Sequence, residues 1–215
     1  ARRIREAVEI FASLKVLWPE HRGLRELTGE TVPWGEDLVL PESAGPPWAR
    51  HLEECLARQH AILAWWFTRR QAQDGQLGGG WGDDVEILRT WAPVAAITTA
   101  GETAVAGIER LAEGVWRHEL SEGYAREIGD VEHSAEPGAD SLPPMLLLRY
   151  GDPRWIERNL LAARTIRERF LAVNRKGRLQ FRSAEFGADG VNEGPRAGGD
   201  TGYHARAMRH FVWLA

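Results

Sequence analysis

The chain has 215 residues, 43% hydrophobic and 27% charged, with a formal net charge of -4, which suits one large or two small folded domains. No apolar run is long enough to cross a membrane, and acids interleaved with bases, as in RTIRER at Arg164–Arg169, leave no one-signed basic face for nucleic acid. The single cysteine, Cys55, forms no internal disulfide; beside Leu52 and Leu56 it reads as buried filler, not a nucleophile.

Apolar residues at helical spacing first cover about residues 1–17. The pattern starts at once, without a signal-peptide motif, and a similar one is still running at Ala215, so the chain is expected to be a fragment or processed form. Residues 30–47 read as an irregular Pro-rich link carrying Trp34, with Trp48 just beyond. Further helical patterns cover about 47–70, 84–100, 102–119, 140–150, 153–172 and 201–214. No comparable stretch alternates with period two. The fold class is therefore all-α, as a single domain over 1–215 or a piece of a larger one.

Two kinds of connection join these helices. Short turns of Gly plus an acid, at Thr28-Gly29-Glu30, Ala100-Gly101-Glu102 and Tyr150-Gly151-Asp152, end one helix with a left-handed glycine and open the next with an acidic turn. Long Gly-rich connections cover 71–83, 120–139 and 173–199. Because long and short connections alternate, the long ones leave the helices at one common end. Each long loop closes on an acid before an inner helix: Asp84, Asp140 and Asp200, spaced by 56 and 60 residues. That spacing predicts a degenerate repeat of one helical hairpin.

The stretches Gly80-Trp81-Gly82-Asp83-Asp84 and Gly198-Gly199-Asp200-Thr201-Gly202-Tyr203-His204, with helices ending in Gly-Glu or Gly-Asp, resemble the (α/α) toroids of carbohydrate-active enzymes. That superfamily includes polysaccharide lyases and unsaturated-glucuronyl hydrolases. The resemblance covers roughly residues 47–215 and implies an incomplete toroid of helical hairpins, since the helices are fewer than a closed ring needs. It also implies a polysaccharide or oligosaccharide substrate, and an exported location would suit polymer breakdown.

The candidate chemistry sits in the three long loops. GQLGGGWGDDVE at Gly75–Glu86 lacks the Lys-Ser/Thr of a phosphate loop, and Asp83 and Asp84 would repel phosphate. No cofactor is expected. Asp83 or Asp84 can cap the next helix with Glu86 reaching back, while Trp81 among glycines is a candidate sugar platform, Asp83 beside it a candidate substrate-binding acid and Asp84 a candidate catalytic acid. In the second loop Glu132, His133 and Glu136 match no standard zinc spacing, so no metal is expected and His133 stands as a general acid or base. Asp140 is a cap or a substrate-binding acid.

The third loop holds Asn192, Arg196, Asp200, Tyr203 and His204. The leading expectation is a polysaccharide lyase: β-elimination on a uronic acid needs a group to neutralise the sugar carboxylate, which Asn192 and Arg196 would supply, and a base and an acid, which His204 and Tyr203 would supply. Adjacent helix positions diverge by about 100°, so Tyr203 and His204 do not both face one cleft. Hydrolysis would instead use two carboxylates flanking the glycosidic oxygen, chosen from Asp84, Asp140 and Asp200. A non-catalytic module binding a glycan or protein, with every acid a cap, is the third reading. Trp65, Trp66, Trp91, Trp116, Trp155 and Trp213 lie in helical patterns and are expected in the core.

Overall fold

The computed structural model describes residues 2–32, 45–97, 101–194 and 201–215, so Trp34, Arg196 and Asp200 lie outside the described residues. Two compact units divide the chain, Ala1–Ala44 and Gly45–Ala215, and the secondary structure is largely helical.

In the first unit α1 (Arg2–Leu17) packs against α2 (Arg22–Leu27). His21 caps α2 by accepting from the Leu24 N–H at 3.3 Å. Gly29, at φ +90°, ends it: the Gly29 N–H reaches the Glu26 carbonyl and the Glu30 N–H reaches that of Arg25, the paired bonds of a Schellman motif. Glu30 then accepts from both Lys15 and Arg25, tying the end of α2 back to α1.

The second unit carries α3 (Pro47–Arg69), then a continuous run from α4 (Trp81–Asp84) through a 3-10 turn (Val85–Ile87) into α5 (Leu88–Ile97). After these come α6 (Gly101–His118), α7 (Val131–Leu148), α8 (Pro153–Thr165) with a π-turn (Ile166–Phe170), α9 (Thr201–Ala207) and α10 (Arg209–Leu214). α7 is the central element: it touches α5, α6, α8, α9 and α10, while α3 rests on α5 and α6. A larger core unites Leu63, Phe67, Leu88, Ile108, Leu111, Leu142 and Trp155, and a smaller one gathers Tyr124, Val131, Ala135, Ile166, Phe170 and Phe186. α7 contributes side chains to both. Cys55 is exposed, as are Trp65 and Trp213, because they face away from these cores.

Two features differ from the sequence expectation. α7 begins at Val131 and not at residue 140, capped by Asp130, which accepts from the His133 N–H at 3.1 Å. Its residues from Ser134 to Met145 are all buried, and a helix buried on every side has no polar face to generate a readable period. The other difference is strand. β1 (Leu120–Ser121) and β2 (Tyr124–Ala125) form a hairpin whose turn residues, Glu122 and Gly123, both have positive φ, as a type I′ turn requires. β3 (Gly129–Asp130), β6 (Glu185–Gly187) and β7 (Gly190–Val191) form a three-stranded sheet, and β4 (Leu171–Val173) pairs with β5 (Leu179–Phe181). Strands of two or three residues are too short to show alternation.

The β1–β2 turn is wedged between α7 and α8. A Cβ on Gly138 would lie 2.0 Å from the Gly123 carbonyl oxygen, and one on Gly123 would lie 2.4 Å from the Ala162 Cβ. Both contacts need bare backbone. Gly138→Ala should therefore lower unfolding free energy by about 3 kcal/mol, seen in urea unfolding as an earlier midpoint at unchanged slope, whereas Gly151→Ala, with open space around it, should cost only the smaller strain of its positive φ.

Candidate functional site

Arginines from three helices converge on one carboxylate of α7. Asp140 is fully buried and accepts from Arg206 of α9 and Arg209 of α10, with the Arg89 Nε of α5 at 3.3 Å. One turn earlier on α7, Glu136 accepts from Arg206 at 2.5 Å and has Arg89 at 3.5 Å. Glu86, in the 3-10 turn before α5, pairs with Arg89, which thus stands between it and Glu136. Three acids and three arginines are thus brought together from four helical elements. Side-chain exposure runs from 53% at Glu86 to 9% at Glu136 and 0% at Asp140, so the cluster opens to solvent at the Glu86–Glu136 end.

The two glutamates are pushed apart electrostatically. Burial raises the Glu136 carboxyl above the usual carboxylate range; the hydrogen bond from Arg206 opposes this, and contact with Glu86 adds to it. Glu86 is held below its usual value, first by its hydrogen bond with Glu136 and then by the charge of Arg89. Burial thus makes Glu136 the harder of the two to ionise, while Arg89 helps keep Glu86 charged. A buried carboxyl shifted up beside an accessible one shifted down is an arrangement suited to a general acid–base pair.

These three residues share a position relative to their helix starts. Glu86, Glu136 and Arg206 each stand five residues past the first residue of their helical runs, Trp81, Val131 and Thr201. Asp140 does not open a helix as the sequence predicts; it lies well inside α7. Asp140 is thereby an ion-pair hub and not a cap. Sequence reasoning missed Arg89, Arg206 and Arg209 and gave Glu86 only a capping role. The available signal was spacing: Glu132, Glu136 and Asp140 recur every four residues, which places them on one helix face.

Asp84 is neither a cap nor a free acid. It is 4% exposed and accepts from the N–H groups of Leu77, Gly78 and Gly79 at 2.6, 3.3 and 2.9 Å, folding the Gly-rich loop onto its own carboxylate. Gly80 occupies the N-cap position without a side-chain bond. Asp83, the residue before Asp84, is exposed. The Trp81 indole N–H donates to the Asp74 carbonyl at 3.2 Å, and its ring stacks on His118 at 4.0 Å between centroids, so one face of the expected sugar platform is taken by an imidazole.

The third-loop residues meet at Ser183. The His204 Nε2 contacts the Ser183 carbonyl at 2.8 Å and its ring stacks on Phe181 at 4.1 Å. The Asn192 carbonyl accepts from the Ser183 hydroxyl at 2.5 Å, while its side chain donates to Glu185 and accepts from the Gly194 N–H. Tyr203 packs on the smaller core.

His133 faces Asp130, with Nδ1 2.8 Å from both carboxylate oxygens; the hydrogen bond to Asp130 raises its imidazole above the usual histidine range. Asp130, Glu132 and His133 bring one potential ligand atom each within 4.8 Å of one another, and among the described residues they are the set with metal-ligand chemistry at one place. Comparison of the chain with protein-family models, with curated proteins and with solved structures gives no match.

Asp140→Asn should destabilise the protein by about 3–5 kcal/mol, because it leaves buried guanidinium charge without its counter-ion. Chemical denaturation should show that loss, and Glu86→Ala at the open end should change stability by less than about 0.5 kcal/mol. Asp84→Ala should cost about 3 kcal/mol by orphaning three N–H groups, measured in the same way.

Proposed function

We propose that the protein is a carbohydrate-active enzyme that degrades a polysaccharide, built on an arc of an (α/α) toroid. In this reading α5, α7 and α9 are inner helices and α3, α6 and α8 outer ones. Support comes from the contacts of α7 with both α5 and α9, and from the ion pairs of Glu109 and Glu113 on α6 with Arg154 and Arg158 on α8. The N-termini of the inner helices would surround one mouth, with the Gly-rich and β-containing loops as its rim.

The observation that carries the chemical reading is the Glu86–Glu136 pair. Cleavage of a glycosidic bond by two carboxyl groups needs a proton donor for the leaving oxygen and an ionised partner, as base or nucleophile, across the bond. Glu136 supplies the first and Glu86 the second, on an exposed side chain free to swing from its partner when sugar enters. The Asp84–Asp140–Asp200 carboxylate set is replaced in this role, since Asp84 and Asp140 are consumed by buried N–H groups and guanidiniums.

A lyase reading has one observation in its favour. With Nε2 donating to the Ser183 carbonyl, a neutral His204 keeps its lone pair on Nδ1, the form a base needs to take a proton beside a uronate carboxylate.

A panel of neutral and uronate-containing polysaccharides separates these readings. Hydrolysis should release reducing ends without ultraviolet absorbance from a new ring double bond, and Glu136→Gln or Glu86→Gln should each lower the rate at least ~100-fold with folding retained. Absorbance growing with the reducing ends, and its loss in His204→Ala but not in Glu136→Gln, would transfer the chemistry to elimination. No cleavage across the panel by the unaltered protein would leave the carbohydrate reading without support. The rate should also fall on the alkaline side as Glu136, whose carboxyl is held above its usual range, gives up its proton.

A further inference from the structure

A buried histidine outside the acid pair fixes the two C-terminal helices. His210, on α10, has no solvent exposure, and its Nδ1 lies 2.9 Å from the Asn159 Oδ1 of α8. Asn159 is also fully buried and gives its amide hydrogens to the carbonyls of Leu142 on α7 and Trp155 on α8, at 3.0 and 2.8 Å. With the amide nitrogen so committed, Oδ1 is the acceptor facing the imidazole. Nδ1 therefore carries the hydrogen, and Nε2 carries a bare lone pair.

That Nε2 is buried without a hydrogen-bond partner. Beside it lies the backbone of α7 at Gly138, whose Cβ position is 3.8 Å away, and the Tyr124 ring of β2 meets the imidazole edge-on at 6.1 Å between centroids. A proton on Nε2 would be a buried positive charge with no acceptor. The acceptors of the packed elements are already committed, and the other buried atoms without a partner, Trp155 Nε1 and Arg206 Nε, are N–H groups that supply none. α7 offers Asp140 and Glu136, which hold Arg209 and Arg206; α8 offers Asn159; α9 offers Arg206; and Tyr124 donates weakly to the Ala207 carbonyl at 3.4 Å. Met208 separates α9 from α10, so Arg206 and Arg209 ride on the two sides of one joint.

We propose that His210 is an acid-released latch: its neutral ring seats α9 and α10 against α7 and α8, and proton uptake at Nε2 unseats them, withdrawing Arg206 and Arg209 from Glu136 and Asp140. The seated ring is held down to about 3 by burial, with the charge of Arg209 acting the same way, whereas an unseated ring titrates near ~6.5. Above that value both forms are neutral and the latch has full strength. As pH falls below it only the unseated form takes up a proton, so the unseated fraction grows about tenfold per pH unit until the seated ring titrates. The consequence for the acid pair rests on the function proposed above; the latch itself does not.

Hydrogen exchange read by mass spectrometry on the full chain, from about pH 7.5 to about pH 5 with intrinsic rates divided out, tests the latch without any substrate. The opening constant of the peptide covering 201–215 should rise about tenfold per pH unit below ~6.5 while that of 101–118 stays level. His210→Gln should flatten the pH profile of 201–215, and Asn159→Asp, which sets a counter-charge against the imidazole, should shrink its slope. A pH-independent 201–215 segment, an equal rise in both peptides, or an unchanged slope in His210→Gln would each overturn the proposal. Should His210→Gln fail to fold, the comparison of the two peptides in the unaltered chain and the Asn159→Asp slope still decide it.

Discussion

The buried Asp140 carboxylate is the constraint around which the second unit is arranged. A lone charge at zero exposure is costly, and it is tolerated here because guanidiniums from α5, α9 and α10 reach it. Those arginines differ in how tightly they are held. Arg206 bridges Asp140 and Glu136 and is itself nearly buried, while Arg89 is 43% exposed and shared with Glu86. The cluster therefore stiffens inward and loosens outward, and its open end carries the two glutamates whose surroundings shift them in opposite directions. Ion pairing of this depth adds little net stability compared with an apolar core; it specifies which helices meet, and at what register.

Around that hub, burial does the bulk of the stabilising. α7 lends Leu142 and Met145 to the larger core and Val131 and Ala135 to the smaller, so the two cores are joined through one helix. On the outer side, α6 and α8 are held by a polar ladder in which Arg158 lies over both Trp116 and Trp155, at 4.7 and 4.6 Å from the ring centroids, while pairing with Glu113. This accounts for a good part of the tryptophan content without any ligand. Trp155 is fully buried and Trp66, Trp81, Trp91 and Trp116 pack on the larger core.

Much of the helical layout was legible from the sequence. α1, α3, α6 and the start of α8 follow the apolar period closely, and the glycine turns at Gly29 and Gly151 adopt the positive φ that their sequences suggest. The site was legible only in part. Asp84 reads as a helix cap because it precedes Val85-Glu86-Ile87, yet its carboxylate turns back to three loop N–H groups, a tertiary preference that no local pattern encodes. Asp140 reads as a helix start because Pro137 and Gly138 stand before it, yet tight packing against the β1–β2 turn makes that glycine a requirement of a continuing helix. Arg206 and Arg209 look like ordinary solvated bases until α7 supplies their partners.

The composition of α7 has a consequence for how the chain reaches this state. Pro137, Pro143 and Pro144 each remove a ladder N–H, and Gly138, Ser134 and Ser141 have little helix preference of their own. In isolation such a segment gains nothing from nucleating a helix. Its helical form depends on the walls that enclose it, so the central element of the architecture owes its shape to tertiary packing and not to its own sequence preference.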